Sequence, residues 1–205
     1  MTGFFMQRIL MCTVFILGLV SSGLAAEPGL KAGSKAPDFK AVNYEGDAVT
    51  LSEYLDEGPV VLLFYRGGWC PYCNRQLQEY QGRIEEFDEL GAAIIAVSVD
   101  QPSNQLKTVA EKKLSFEVIS DPQARILKLY NLVYQVPDEL VTVYREKYNI
   151  DLEAWSGQKN HMIAIPATFV IDADGTIRYA YANEDYKIRP PAEEILKVLE
   201  SFWNE

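Results

Sequence analysis

The sequence predicts an α/β protein, a central mixed sheet with helices on both faces, and three observations carry that expectation. Continuous apolar runs such as Val60-Val61-Leu62-Leu63-Phe64-Tyr65 and Ala92-Ala93-Ile94-Ile95-Ala96-Val97-Ser98-Val99 have the composition of strands buried on both faces. Stretches with apolar residues at helical spacing alternate with them, as in β-α-β-α units. After the first 26 residues roughly 180 remain, enough for one domain with a sizeable core.

The elements follow in chain order. Ala36-Pro37-Asp38-Phe39 to Leu55 reads as short extended pieces around the Glu45-Gly46-Asp47 turn. The first core strand spans 59–65. The helix after it places Cys73, Leu77, Tyr80, Ile84 and Phe87 at steps of four and three, with charged and amide residues on the other faces. Cys73 is thereby predicted on a buried stripe and Cys70 at an exposed lip. A strand at 92–99, a helix at 101–114, a strand at 116–120 and a short helix at 122–130 continue the pattern. Residues 131–160 interrupt it with Tyr134, Tyr144, Tyr148 and Trp155, an insertion read as partly helical. Ile165–Asp172 and Thr176–Ala182 flank Ala173-Asp174-Gly175 and predict an antiparallel hairpin. A last helix from about Pro191 buries Ile195, Leu196, Leu199, Phe202 and Trp203.

The chemistry concentrates in Trp69-Cys70-Pro71-Tyr72-Cys73. Two thiols one helical turn apart, at a strand-to-helix junction, can close a small disulfide reversibly, and the helix N-terminus favours the anion of the first. Zinc is the rival ligand, but four ligands are needed and the rest of the chain offers His161 and no second Cys pair. A static disulfide is the plainest alternative. Such bridges usually close longer loops. No cofactor is implied.

Residues 1–26 read as an export signal: Arg8 is the one charged side chain, Ile9 to Val20 is apolar, and Ser21-Ser22-Gly23-Leu24-Ala25-Ala26 is small. Cleavage after Ala25 or Ala26 and a periplasmic destination are expected, with an uncleaved membrane anchor as the alternative. Cys12 reads as a small apolar residue of that segment. With Arg8 set apart from the 19 basic residues, 18 stand against 29 acidic ones, and no Lys/Arg cluster occurs. Nucleic acid and anionic membrane surfaces are therefore poor partners. A lone Cys pair in an oxidising compartment needs a partner that reduces or reoxidises it.

Weaker signals fall away on inspection. Asp172-Ala173-Asp174-Gly175 resembles the start of a calcium loop, but its twelfth position is Asn183 where a bidentate Glu is required. Gly67-Gly68 lacks the Lys of a phosphate loop and suits a close β-to-α turn. His161 has no apparent partner in the sequence. Pro166 heads a strand that reads as central, which fits either a strand-starting proline or a cis bond.

Ala36-Pro37-Asp38-Phe39, then Phe64-Tyr65-Arg66-Gly67-Gly68-Trp69-Cys70-Pro71-Tyr72-Cys73, then Pro166-Ala167-Thr168-Phe169-Val170-Ile171-Asp172 with Gly175, resemble the peroxiredoxin-like branch of the alkyl hydroperoxide reductase/thiol-specific antioxidant (redoxin) family. The likeness runs from about Lys31 to the C-terminus. It implies a thioredoxin-like fold spanning 27–205, in which Pro166, as a cis-proline, shapes a groove facing the Cys pair with Trp69 and Tyr72 at its rim. It also implies two candidate activities. Members that reduce peroxides place a threonine three residues before the reactive cysteine and an arginine at the head of the late strand. With Cys73 at that position, Cys70 replaces the threonine and Pro166 the arginine, so electrostatic support for peroxide chemistry must come from elsewhere, with Arg66 or Arg178 as candidates. The expected function is thiol–disulfide exchange, Cys70 attacking and Cys73 resolving, with a thioredoxin-like reductant or client protein as partner. A thiol peroxidase is the first alternative, and a binding module stapled by its disulfide the second. The oligomeric state is left open.

Overall fold

The computed structural model describes residues 27–202; the predicted export signal, Cys12 and Trp203 lie outside them. Seven strands form one mixed sheet: β1 (Lys40–Asn43), β2 (Ala48–Thr50), β3 (Val60–Phe64), β4 (Ala93–Ser98), β5 (Glu117–Ser120), β8 (Ala167–Ile171) and β9 (Ile177–Ala182). Their order is β2-β1-β5-β4-β3-β8-β9, with β3, β4 and β5 parallel and the outer neighbours antiparallel. Two further strands, β6 (Val133–Gln135) and β7 (Met162–Ala164), pair with each other.

The period-2 alternation of strand side chains divides the core into two layers. Val60, Leu62, Phe64, Ile95, Val97, Phe169 and Ile171 pack on one face. Val61, Leu63, Tyr65, Ile94, Ala96 and Val170 pack on the other with both cysteines. This is why the central runs are apolar throughout. The first layer holds α1 (Leu51–Leu55) and α5 (Arg125–Leu129), with Tyr130 seated between Phe64 and Phe169 at ring separations of 5.1 and 5.5 Å. The second holds α2 (Pro71–Gln81), α3 (Ile84–Glu89), part of α4 (Pro102–Lys112) and α8 (Ala192–Ser201).

Three expectations need correction. The helix predicted to run from Cys73 through Phe87 is two helices, because Gly82 closes α2 on the carbonyl of Gln78 and Arg83 leaves helical geometry at φ −118°, ψ 15°. The break lets Phe87 stack on Tyr80 at 5.6 Å. The strand expected from Ile165 starts two residues later. β7 ends at Ala164, the Ile165 N–H bonds the Leu132 carbonyl at 2.7 Å, and β8 begins at Ala167. Pro166 lies at that junction, and its peptide bond is trans, since no cis bond occurs among the described residues. A proline just ahead of a strand leaves no ladder donor missing, and its carbonyl still accepts from the Asn183 N–H at 3.1 Å, so the more stable trans bond suffices there.

The insertion contains α6 (Asp138–Tyr148) and α7 (Leu152–Ser156) between β6 and β7. Asp151 caps α7 by accepting from the N–H groups of Glu153 and Ala154. His161, expected to be without a partner, sits with Nε2 3.0 Å from Glu153 Oε1. The Gln101 N–H and Asn104 side-chain amide each bond the Trp155 carbonyl at 2.9 Å, clamping α7 to the start of α4.

Candidate active site

The site forms where β3 hands over to α2. At the C-terminal end of β3 the chain turns through Gly67, at φ +147°, a conformation that side-chain-bearing residues rarely adopt. A Cβ on Gly67 would lie 2.4 Å from Trp69 Nε1 and 2.7 Å from Asp100 Oδ1. The Gly68 N–H donates to Asp100 Oδ2 at 2.7 Å, and the Asn74 amide donates to the Gly68 carbonyl at 2.7 Å. This doubly held loop presents Cys70 at the N-cap of α2 with Pro71 in the first turn.

Both cysteines are free thiols. Cys73 is buried, as its place on the helical stripe predicts. Cys70 is not at an exposed lip: it is 1% exposed and belongs to the same apolar cluster. Trp69 and Tyr72 join that cluster on either side of it, which is how a residue at a helix start escapes solvent.

The two thiols differ in acidity. Cys70 is lowered to about 6, chiefly because its sulfur accepts from the Cys73 thiol, with help from the Cys73 backbone N–H and the Arg66 and Arg189 guanidinium groups against the opposing effect of burial. Cys73 is pushed well up by burial and by its position as donor beside the Cys70 anion. One attacking thiolate and one protonated neighbour follow from these causes.

Arg66, 5% exposed, sits among aromatic rings, with its guanidinium carbon 4.8, 5.6 and 4.0 Å from the ring centroids of Trp69, Tyr144 and Tyr186. It also donates to the Tyr144 hydroxyl. Arg66, Tyr134, Tyr144, Pro166 and Tyr186 line a cleft of about 250 Å³. Pro166 and Arg66 are thus brought together, and Arg66 joins the cleft to the thiols through its charge on Cys70. Tyr72 packs edge-on against Tyr186 at 5.7 Å. Arg178 plays no such part. Its guanidinium holds Asp172 at 2.7 Å next to Ile171, which pairs with the start of β3, whereas the thiols follow its other end.

Three residues placed around the thiols escape a reading of the sequence. Tyr144 comes from the insertion. Arg189, in the loop before α8, places Nη2 3.6 Å from Cys73 Sγ across 116 residues of chain, and no local pattern marks it. Asp100 lies just past β4, a position the sequence marks in general terms, since sites gather beyond the carboxyl ends of parallel strands. Its carboxyl is fully buried and raised to about 7, mainly by that burial, with the Gly68 N–H opposing.

Asp100 carries a pH prediction. The unfolded carboxyl titrates near 3.8 and the folded one near 7, so the folded chain keeps a proton that the unfolded chain has lost. The resulting stability is complete below pH 3.8 and disappears as pH rises through 7. Asp100→Asn, which can still accept from Gly68, is expected to melt at rising temperature relative to wild type as pH goes from 5 to 8. The difference should reach on the order of 2 to 4 kcal/mol. Calorimetry showing a pH-independent difference would contradict this.

A buried, asymmetric thiol pair at a β-to-α junction, on a thioredoxin-like sheet, defines a thiol-based oxidoreductase. The chain belongs to the AhpC/TSA family, whose model matches residues 32–180. Among its relatives, peroxiredoxin Q of Oryza sativa subsp. japonica is 27% identical over 83% of this chain and 67% of its own. The thiol-disulfide oxidoreductase ResA of Geobacillus kaustophilus is 29% identical over 62% of this chain and 76% of its own. Among solved structures, peroxidoxin BcpB of Mycobacterium tuberculosis superposes with a TM-score of 0.65 at 21% identity, covering 84% of this chain and 97% of that one.

Proposed function

We propose that this protein is an exported thiol–disulfide oxidoreductase. The observation that carries the reading is the placement of two free thiols, Cys70 at the N-cap of α2 and Cys73 one turn inside on its buried face, an arrangement in which the first is lowered and the second raised. The Cys70 thiolate attacks one sulfur of a substrate disulfide, and the electron pair of that bond leaves with the other sulfur. Cys73 then loses its proton, attacks Cys70 Sγ and releases the second substrate thiolate, leaving a Cys70–Cys73 disulfide. A thioredoxin-like reductant returns the pair to dithiol. Trp69, Tyr72 and the Pro166 cleft form the surface around the point of attack.

A second reading has its own support. At 1% exposure Cys70 is better reached by a small oxidant than by a protein disulfide, and peroxiredoxins are among the relatives. In that case the Cys70 thiolate attacks one peroxide oxygen, the O–O bond breaks and the other oxygen leaves as water or alcohol, and Cys70 becomes a sulfenic acid; Cys73 then attacks Cys70 Sγ, water leaves, and the same disulfide results.

Parallel assays separate the two: reduction of a protein disulfide against consumption of hydrogen peroxide, with dithiothreitol as common reductant. Faster disulfide reduction supports exchange. Faster peroxide loss gives the peroxidase reading its place. Export is tested by mass spectrometry of protein recovered from the cell envelope, with an N-terminus near Ala26 or Glu27 expected and an intact Met1 contradicting cleavage.

A further inference from the structure

Cys73 faces a difficulty in the second half of the cycle. It is fully buried, its acidity is suppressed, and it must nonetheless become a thiolate to resolve the adduct on Cys70. Once Cys70 carries the adduct, the anion that opposed Cys73 ionisation is gone. Two groups that favour the Cys73 thiolate remain: the Arg66 backbone N–H and the Arg189 guanidinium.

Arg189 is held in place by the thiol-bearing helix itself. Cys73, Gln76 and Tyr80 share one face of α2 at steps of three and four. Arg189 Nε donates to Gln76 Oε1 at 3.1 Å while Nη2 reaches Cys73 Sγ at 3.6 Å. Gln76 is fixed in turn by donating to Thr168 Oγ1 at 3.3 Å, and both are buried. The loop around Arg189 is fastened twice more, by Tyr80 OH donating to the Pro190 carbonyl at 3.3 Å and by the Ala192 N–H donating to Glu79 Oε1 at 2.8 Å. A cation tethered through Nε to α2, on a loop fastened to the same helix at two further points, is preorganised rather than merely near.

We infer that Arg189 is the positioning residue of the resolving step: tethered by Gln76, it stabilises the thiolate of Cys73 as that sulfur attacks the Cys70 adduct. In that step the Cys73–Cys70 bond forms, the Cys70–substrate bond breaks, the substrate sulfur leaves with the electron pair, and the Cys73 proton passes to solvent. Arg189 supplies charge and exchanges no proton. The inference rests on the assignment of Cys70 as attacker and Cys73 as resolver.

The test uses the reduced protein and 5,5′-dithiobis(2-nitrobenzoate), which releases one coloured thiolate when Cys70 is modified and a second when Cys73 resolves the adduct. At pH 8, about two units above the Cys70 midpoint, loss of Arg189, the smallest of the causes that lower Cys70, leaves that thiol largely ionised, and the second phase is read as a ratio to the first. Arg189→Gln is expected to slow the second phase by about tenfold or more, with the adduct accumulating on Cys70. Arg189→Lys, which keeps the charge, should recover much of that rate. Gln76→Leu, which keeps the arginine but cuts its tether, should slow the same phase to a lesser extent and serves if Arg189→Gln does not fold. A second phase within twofold of wild type in Arg189→Gln, or in Gln76→Leu where it stands in, would overturn the inference while leaving the order of the cysteines intact. Absence of any Cys70 adduct, including in Cys73→Ser, would overturn the cysteine assignment itself and this inference with it.

Discussion

Cys70→Ser is expected to abolish turnover of both disulfide and peroxide substrates, by about a thousandfold or more, because a serine hydroxyl is not ionised near neutral pH and no partnered base stands ready to activate it. Cys73 does not take over. Its thiol is held protonated by burial, and Cys70→Ser removes the anion beside it but not the apolar cluster around it. Cys73→Ser has the opposite signature. Attack by Cys70 proceeds once, and the adduct persists because no resolving sulfur remains. Cys73→Ala, which unlike serine leaves no side-chain donor, should raise the Cys70 midpoint, since the thiol of Cys73 is the largest cause of its depression. Steady-state assays on both variants, with mass spectrometry of the trapped adduct, check this. Residual turnover by Cys70→Ser at a tenth of wild type would contradict it.

The largest effect on the scaffold is expected from Gly68→Ala. A Cβ there would sit 2.0 Å from Thr108 Oγ1 and 3.3 Å from Trp155 Cζ3. Thr108 is buried and its hydroxyl donates to the Asn104 carbonyl at 3.1 Å, so it has little room to yield. The Gly68 loop must move instead, breaking the bond to Asp100 and shifting Cys70 from the helix N-cap. A cost of about 1 to 3 kcal/mol is expected from overpacking, with about a hundredfold loss of turnover from misplacement of the nucleophile. Thr108→Ala removes the clashing oxygen, leaving its Cβ 3.2 Å away, and should rescue Gly68→Ala in part. Denaturation and turnover across the double-mutant cycle measure the coupling. Additive effects would show that the two residues do not collide.

The fold was legible because its strongest signals are local. Buried parallel strands need apolar residues on both faces, and the runs at β3 and β4 display that requirement openly. The thiol pair was legible for the same reason, since spacing and the β-to-α junction set its chemistry. The exposure of Cys70 was not. Helix position puts it at an open end, and the apolar cluster that Trp69 and Tyr72 join encloses it. Arg189 was beyond reach because its meeting with Cys73 depends on the path of the chain after β9, which no periodicity encodes. The trans bond at Pro166 is hidden for a different reason: the sequence runs apolar through Ile165, concealing the junction between β7 and β8 that an ordinary trans proline fits. Gly82 is a local mark of the break between α2 and α3, as glycine is a poor interior helix residue.

The claim on which the rest depends is that Cys70, although buried, is the thiolate of the pair. Brief alkylation of the reduced wild-type protein with iodoacetamide, stopped at low conversion across pH 4.5 to 9 and mapped by peptide mass spectrometry, tests it directly. The label is expected on Cys70, half-maximal near its midpoint of about 6, with Cys73 unlabelled up to neutral pH. Label first on Cys73, or Cys70 labelling that rises only above pH 8, would contradict the assignment.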